Sequence, residues 1–159
     1  MMNFKRYPSM TKCVIPNGIR LSNTNFYNAF NNMRQLQNCV ISDKVVSLAK
    51  AYYSCTNLTT AVCGPNVTNM SETYRVCDNL TTAVCGPNVT DMSYAYLGCK
   101  NLTTAVCGNN VTNMHSTYYN CRNLNAALCG EKVPNIRIPN SYCHNFTTES
   151  GGPIVTDSP

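Results

Sequence analysis

Apolar and polar positions follow a pattern along this chain that returns every 22 residues. The stretch "NLTTAVCGPNV" begins at Asn57 and again at Asn79, and a close variant begins at Asn101. Within one repeat a leucine comes first, a small residue follows three positions later, and a cysteine follows two positions after that. A fixed period of this length predicts a solenoid, because one repeat alone cannot bury its apolar face and needs its neighbours to cover it.

The apolar positions fall into seven columns that hold the same kind of residue in successive repeats. The first three columns are Leu36, Leu58, Leu80, Leu102 and Leu124; Cys39, Ala61, Ala83, Ala105 and Ala127; and Ile41, Cys63, Cys85, Cys107 and Cys129. The next four are Val45, Val67, Val89, Val111 and Val133; Leu48, Met70, Met92, Met114 and Ile136; Tyr52, Tyr74, Tyr96 and Tyr118; and Cys55, Cys77, Cys99, Cys121 and Cys143. We predict that these columns form the core and that the tyrosine hydroxyls reach solvent or backbone.

The two halves of the repeat predict different local structures. The spacing L-x-x-A-x-C suits a strand that turns alternate side chains inward, and the Gly-Pro-Asn at 64–66 and 86–88 is turn chemistry that ends it. The second half, V-x-x-M-x-x-x-Y-x-x-C, has spacings of three and four, which indicate one or two helical turns. Stacked repeats would then lie about 4.8 Å apart along the direction of strand pairing.

The repeat pattern divides the chain into three parts. An irregular first copy has Met10, Cys13 and Ile15 at its front and Phe26 and Phe30 at its back, with an insertion of four residues near "RLSNTN". We therefore predict an irregular N-terminal repeat or cap over residues 1–35 and regular 22-residue repeats over residues 36–143. Residues 144–159 break the pattern, and we predict a C-terminal cap and a polar tail there.

The columns L-x-x-A-x-C-G-P-x-V-x-x-M-x-x-x-Y-x-x-C resemble the BspA-type (Treponema-type) leucine-rich repeat, over roughly residues 10 to 146. The Ala-Phe pair of that family has counterparts at Ala29–Phe30, Ala51–Tyr52 and Ala95–Tyr96. The resemblance implies an α/β leucine-rich-repeat solenoid of 22-residue coils, with a parallel sheet on one face and short helical turns on the other. It also implies adhesion or protein contact, since such domains occur in bacterial surface proteins, in some protists, and in viral and phage proteins.

Cysteine chemistry does not account for the eleven cysteines of the chain. Their number is odd, each stands in an apolar column, and Ile15 and Ile41 share a column with Cys63. We interpret them as buried, reduced thiols that act as small apolar side chains. The chain has no C-x2-C spacing and its histidines are His115 and His144, so we predict no metal site. It also lacks a carboxylate pair, a catalytic triad and a phosphate loop, so we predict neither catalytic residues nor a cofactor.

An apolar row on the outward face of the strands is the candidate contact surface. Strand alternation places Val40, Val62, Val84, Val106 and Leu128 outward, together with Val14 of the irregular copy. The threonines beside them that complete the candidate surface are Thr60, Thr82 and Thr104. Such a row favours contact with another protein or with a glycan. The alternative is that β-branched residues were selected for strand propensity alone.

The charge of the chain is concentrated near its N-terminus. The formal net charge is +5, and the first 42 residues hold Lys5, Arg6, Lys12, Arg20 and Arg34 without an acidic residue. This asymmetry indicates either a face that meets an anionic partner or five scattered, solvated charges. No segment has the roughly 18 apolar residues that a membrane span needs, and the N-terminus does not read as a secretory signal peptide.

Together these features predict a non-enzymatic leucine-rich-repeat protein that mediates protein–protein contacts. We expect a structural or host-attachment component of a phage or virus particle, assembled in the host cytoplasm, that binds itself or a partner on the virion or cell surface. One alternative is a bacterial or protist surface adhesin, for which a glycan is a further class of partner. The other is a cytosolic binding module for an anionic partner. We expect no specific recognition of nucleic acid.

Overall fold

Eight short strands form three parallel sheets in a computed structural model of the chain. The structure describes residues 3–18, 20, 21, 23–61 and 63–128, and the backbone of 136–139 and 154–157. The strands are β1 (Lys12–Val14), β2 (Asn38–Val40), β3 (Thr60–Ala61), β4 (Thr82–Val84), β5 (Thr104–Val106), β6 (Ala126–Leu128), β7 (Ile136–Pro139) and β8 (Ile154–Asp157). β1 pairs with β2, β3 to β6 pair in sequence order, and β7 pairs with β8. The parallel pairing of successive repeats is consistent with a leucine-rich-repeat solenoid.

The strands of the four-stranded sheet pair between equivalent positions of neighbouring repeats. Thr82 lies opposite Thr104, Ala83 opposite Ala105, and Val84 opposite Val106. The middle residue of each three-residue strand is buried and its third residue is exposed. A slip by one residue would expose the apolar middle position, so this alternation fixes the register. The strand predicted for the first half of the repeat is therefore confirmed.

Consecutive turns, not helices, form the second half of the described repeats. No helix occurs among the described residues, so the short helical turns that we predicted are not confirmed. Within one repeat the Ala51 N–H donates to the Leu48 carbonyl at 2.8 Å. The neighbouring N–H groups of Lys50 and Tyr52 donate instead to carbonyls of the next repeat, at 2.9 and 3.0 Å. Beyond its first four residues a helix binds each N–H group within its own segment, so these donors would not alternate between the two repeats.

Each of these turns has a left-handed residue at its third position. Lys50 has φ 55° and Ser54 has φ 58°, and a type II turn requires a positive φ at this place. Two columns share this conformation: Asn28, Lys50, Glu72, Tyr94 and Ser116, and Asn32, Ser54, Val76, Gly98 and Asn120. A turn brings a residue and the one three positions later to the same side, as a helix does. The spacing that we interpreted as helical therefore also fits a series of turns.

A stack of parallel aromatic rings runs through the core. The rings of Tyr52, Tyr74, Tyr96 and Tyr118 lie 5.3–5.8 Å apart between centroids, and neighbouring planes are within 4° of parallel. Phe30 continues the stack at 5.0 Å from Tyr52. A fully buried side chain of this size contributes about 1.5–3 kcal/mol to stability, so the stack is a large part of the core. The predicted tyrosine column is therefore confirmed as core.

Two details of the aromatic stack differ from the prediction. Phe4 lies outside every column of the sequence pattern, yet its ring stacks on Phe30 with the centroids 4.6 Å apart and closes the N-terminal end of the stack. The prediction that the tyrosine hydroxyls reach solvent or backbone is wrong for Tyr96, whose buried hydroxyl has no hydrogen-bond partner among the described residues. The Tyr118 oxygen lies 3.0 Å from the Cys107 sulfur. The sequence columns place Cys107 and Tyr118 in the same core, and this contact joins them.

The C-terminal part departs from the repeat. Ile136 continues the methionine column in the sequence, but its backbone lies in β7, which pairs with β8. The predicted core positions Cys129 and Val133, the residues Ile19, Cys143 and His144, and most of the predicted cap and tail lie outside the described residues. The division of the chain at residues 35 and 143 therefore stays a prediction.

A column of glycines lets neighbouring repeats approach closely at the turn after each strand. A Cβ atom added to Gly108 would lie 2.5 Å from the carbonyl oxygen of Gly86, and one added to Gly86 would lie 2.8 Å from that of Gly64. Both distances are well inside van der Waals contact, and the backbone there is fixed by the stack. A Cβ at Gly64 would meet its nearest atom at 3.6 Å, which is an ordinary contact.

We predict that Gly108→Ala lowers the free energy of unfolding by about 2 kcal/mol, because overpacking a fixed backbone typically costs about 1–3 kcal/mol. Gly64→Ala is the matched control, and we expect its free energy of unfolding to stay within about 1 kcal/mol of wild type. Urea unfolding followed by circular dichroism measures both variants. Equal destabilisation by the two substitutions would contradict the close approach of the repeats.

Candidate contact surface

The third residue of each described three-residue strand forms an exposed apolar row on the sheets, which we name the valine ladder. Its members and exposed fractions are Val14, 67%, Val40, 45%, Val84, 56%, Val106, 39%, and Leu128, 39%. Val84, Val106 and Leu128 are in register on one sheet, and Val14 and Val40 are in register on another. Val62, the sixth residue predicted for this row, lies outside the described residues. The structure thus presents four of the five valine and leucine positions of the predicted surface.

A row of threonines runs beside the valine ladder. Thr60, Thr82 and Thr104 occupy the first strand position, are exposed, and are mutually in register. The hydroxyl of Thr103, one residue earlier, donates to the carbonyl of Thr81 at 3.1 Å, which anchors this edge of the row to the preceding repeat. Among the outward positions of β1 to β6, Lys12 is the sole charged residue. The face combines methyl groups with uncharged hydroxyls.

The ladder is divided between two sheets. β2 and β3 do not pair as strands in the described part of the chain, although the Thr59 N–H donates to the Gln37 carbonyl at 3.3 Å. On the turn side, a continuous row of parallel bridges joins the turn halves of five successive repeats: Asn25, Ser47, Asn69, Asp91 and Asn113. The repeats therefore stay stacked between β2 and β3, where the strands do not pair. The valine ladder thus extends over both sheets.

An open groove of about 630 Å³ follows the turns after the strands. Asp43, Lys44 and Val46 line one end, and the rest is lined by Asn66, Thr68, Asn88, Thr90 and Asn110. The three asparagine amides donate to backbone carbonyls of the preceding repeat at 2.8–2.9 Å. Sequence reasoning missed this groove, and the 22-residue recurrence of "NVT" was the signal that could have identified it. The asparagines have a clear structural role, because each ties two repeats together.

Ion pairs lie on the turn side, away from the ladder. Glu72 binds Lys50 at 3.2 Å and Arg75 at 3.0 Å, and Asp78 binds Lys100 at 3.3 Å. Partly exposed pairs of this kind contribute little to stability. The exposed basic residues without an ion pair within the described ranges include all five that lie in the first 42 residues: Lys5, Arg6, Lys12, Arg20 and Arg34. Their charge is therefore not neutralised by nearby acidic side chains.

The described cysteines belong to the core. Eight of the nine are buried and Cys63 is partly buried, which confirms the predicted burial. The thiols of Cys55, Cys77, Cys99 and Cys121 each donate to a backbone carbonyl of the preceding repeat at 3.0–3.1 Å. Burial raises the pKa of Cys99 to about 12 and that of Cys85 to about 11. A protonated, buried thiol is a poor nucleophile and a poor metal ligand. That these thiols are reduced in the native protein stays a prediction.

We predict that the free energy of unfolding falls as the pH rises from 9 towards 12. Unfolded thiols lose their protons near the ordinary pKa of 9.0, whereas Cys99 keeps its proton in the fold until about pH 12. Each such thiol makes stability fall on the order of 1 kcal/mol per pH unit in this window, because the unfolded chain ionises first. Removing one thiol should therefore make the fall with pH shallower.

Urea unfolding of wild type and Cys99→Ala at pH 8, 9, 10 and 10.5 measures this effect. We expect a shallower fall in Cys99→Ala, whatever its stability at pH 8. The buried tyrosines contribute equally to both proteins and cancel in the difference. Parallel pH profiles would show that the Cys99 thiol ionises in the folded protein as readily as in the unfolded chain.

The described residues include no helix long and apolar enough to cross a membrane. They also include no group of three His, Cys, Asp or Glu side chains that could hold a metal ion.

Comparison with known proteins identifies the repeat. A family profile described as "BspA type Leucine rich repeat region (6 copies)" matches residues 2–94 and 71–147, which together cover most of the chain. No curated protein and no solved structure is similar enough to the chain to count as a match. The matched residues include the seven columns, the aromatic stack and the ladder strands β1 to β6. The chain therefore belongs to the BspA-type leucine-rich repeat family.

Proposed function

We propose that this chain is a non-enzymatic leucine-rich-repeat solenoid of 22-residue coils that mediates protein–protein contacts through the valine ladder. The observation that carries the proposal is the row of five apolar side chains, 39–67% exposed, on a nearly uncharged sheet face. Each Å² of apolar surface that a partner removes from water contributes about 25 cal/mol. Membership of the leucine-rich repeat family supports a role in protein–protein contacts.

The repetition of the ladder favours a partner that is itself periodic. Val84 and Val106 lie beside Thr82 and Thr104 in the same arrangement, one repeat apart. A site for one irregular ligand would need different side chains on successive rungs, whereas a second copy of this chain offers identical rungs at identical spacing. The valine ladder therefore suits self-association or contact with another regular protein array.

A periodic contact surface fits a structural or host-attachment component of a phage or virus particle, and we propose this setting, with assembly in the host cytoplasm. Repeats of the same type occur in viral and phage proteins and in surface adhesins. A bacterial or protist adhesin would use the same sheet face against a partner or glycan on a cell surface. In a virus or phage particle the valine ladder would contact another copy of this chain, whereas in an adhesin it would contact a molecule on a cell surface.

A second candidate function rests on the N-terminal charge. Lys5, Arg6, Lys12, Arg20 and Arg34 are exposed and have no acidic partner among the described residues. This excess of positive charge in the first 42 residues favours an anionic partner, whose binding would weaken steeply as the salt concentration rises. Contact through the valine ladder would depend much less on salt, because it buries methyl groups and not charges.

We predict that the purified chain is an oligomer and that the triple variant Val40→Thr, Val84→Thr, Val106→Thr associates about 100-fold more weakly. Each substitution replaces a buried methyl group with a hydroxyl group and costs about 1 kcal/mol at the contact. Light scattering coupled to size-exclusion chromatography, over a range of protein and salt concentrations, gives the native mass and the association constant. Threonine keeps the β-branched shape, so the strands should still form.

Val46→Thr is the matched control, because Val46 is 40% exposed but lines the groove and not the ladder. We expect it to associate as wild type does. An unchanged association constant in the triple variant would contradict the ladder as the contact surface. A wild-type monomer at all concentrations would contradict self-association and favour the adhesin.

A further inference from the structure

Two cysteines face each other across the first strand pair. Cys13 in β1 and Cys39 in β2 are direct partners in the parallel register, and both occupy the inward middle position. Neighbouring strands lie about 4.8 Å apart, and Cα separations in disulfides are about 4.4–6.8 Å. The Cys39 side chain also lowers the pKa of the Cys13 thiol, as expected for two neighbouring side chains that interact. The pair therefore already has nearly the separation of a disulfide.

The other described thiols have different partners. Those of Cys77 and Cys99 are fully buried and donate to backbone carbonyls, as do their neighbours in the same column. The Cys107 sulfur contacts the Tyr118 hydroxyl, and the Cys85 sulfur lies 3.5 Å from the Gly86 carbonyl. The column of Cys13 and Cys39 continues with alanines in the later repeats: Ala61, Ala83, Ala105 and Ala127. An alanine fills this core position in the later repeats, so packing does not explain why Cys13 and Cys39 carry a sulfur atom.

We propose that Cys13 and Cys39 form a reversible disulfide that joins the first repeat to the second. The oxidant is a low-molecular-weight disulfide of the glutathione class. The Cys13 thiolate attacks one sulfur of this disulfide, forms a mixed disulfide and releases one small thiol. Cys39 then loses its proton to solvent and attacks the Cys13 sulfur, which releases the second small thiol. Two protein thiols are oxidised and one small disulfide is reduced to two thiols.

The environment of the pair supports this order of steps. Cys13 is 9% exposed and Cys39 is 5% exposed, so Cys13 is the thiol nearer to solvent. The interaction with the Cys39 side chain lowers the pKa of Cys13, and the same interaction, as the largest cause, raises the pKa of Cys39. This cause disappears once the Cys13 sulfur is in a mixed disulfide, because no thiolate remains there. Burial still raises the pKa of Cys39, so the attack of Cys39 on the mixed disulfide is the slower step.

The geometry also implies that the bond is easily reduced. Side chains of paired parallel residues run side by side, so the Cβ atoms keep about the strand spacing, whereas an unstrained disulfide has them about 3.8 Å apart. A strained disulfide has a more oxidising potential and is labile. The bond would tie down β1, which pairs with β2 alone among the described strands. Oxidation would thereby fasten the terminal repeat of the stack.

Oxidation of the full-length folded protein in mixtures of oxidised and reduced glutathione tests this proposal. Remaining thiols are alkylated, the chain is digested without reductant, and linked peptides are identified by mass spectrometry. We expect the first linked peptides to join Cys13 to Cys39 and to separate again as the share of reduced glutathione rises. Linkage of other pairs at lower oxidant, or free Cys13 and Cys39 in fully oxidised samples, would overturn the proposal.

Cys39→Ala is the matched variant, because alanine already fills this column at Ala61 and Ala83. We expect it to give the same circular dichroism spectrum as wild type and to stop at a stable mixed disulfide between Cys13 and glutathione. Wild type should show little of this adduct, since Cys39 resolves it. Equal accumulation of the adduct in both proteins would show that the two sulfurs do not react with each other.

Discussion

The backbone hydrogen bonds between repeats are the interaction on which the rest of this structure depends. In the turn half, the N–H groups of Leu48, Lys50, Tyr52 and Ser54 all donate to carbonyls of the following repeat. The strands add parallel pairing at the same offset of 22 residues. Since both sides of each repeat are bonded to its neighbour, the distance between repeats is fixed near the spacing of paired strands, about 4.8 Å. Every side chain in a column must fit that distance.

The composition of the columns follows from this spacing. Flat rings tolerate a short repeat distance, and the tyrosines stack face to face with centroids 5.3–5.8 Å apart. Small side chains are needed where backbones approach, which explains the alanines of the strands and the glycines after them. Cysteine supplies slightly more volume than alanine, and its thiol can satisfy a carbonyl of the neighbouring repeat. The turns also lower the stability of the fold through backbone strain. Val76 has φ 60°, which is unfavourable for a β-branched residue.

Much of the fold and of the candidate surface could be predicted from the sequence, because period and alternation are strong signals. The offset of 22 residues and the two-residue alternation place Ala83 inside and Val84 outside, as the structure has them. The consecutive turns of the second half could not be predicted in this way, because spacings of three and four suit both a helix and consecutive turns. Left-handed positions usually reveal themselves through glycine, but here Lys50, Glu72 and Tyr94 occupy them. Phe4 and the asparagine groove were missed, since they depend on contacts between repeats.

In the turn half, alternate N–H groups bond to the next repeat and not to their own segment. NMR detection of couplings across hydrogen bonds, in uniformly labelled protein, tests this bonding pattern. We predict couplings from the Tyr52 amide nitrogen to the Thr73 carbonyl carbon and from Tyr74 to Ala95, whose N···O distances are 3.0 and 2.8 Å. Couplings from Tyr52 and Tyr74 to carbonyls four residues earlier would reveal helices and contradict bonding between repeats.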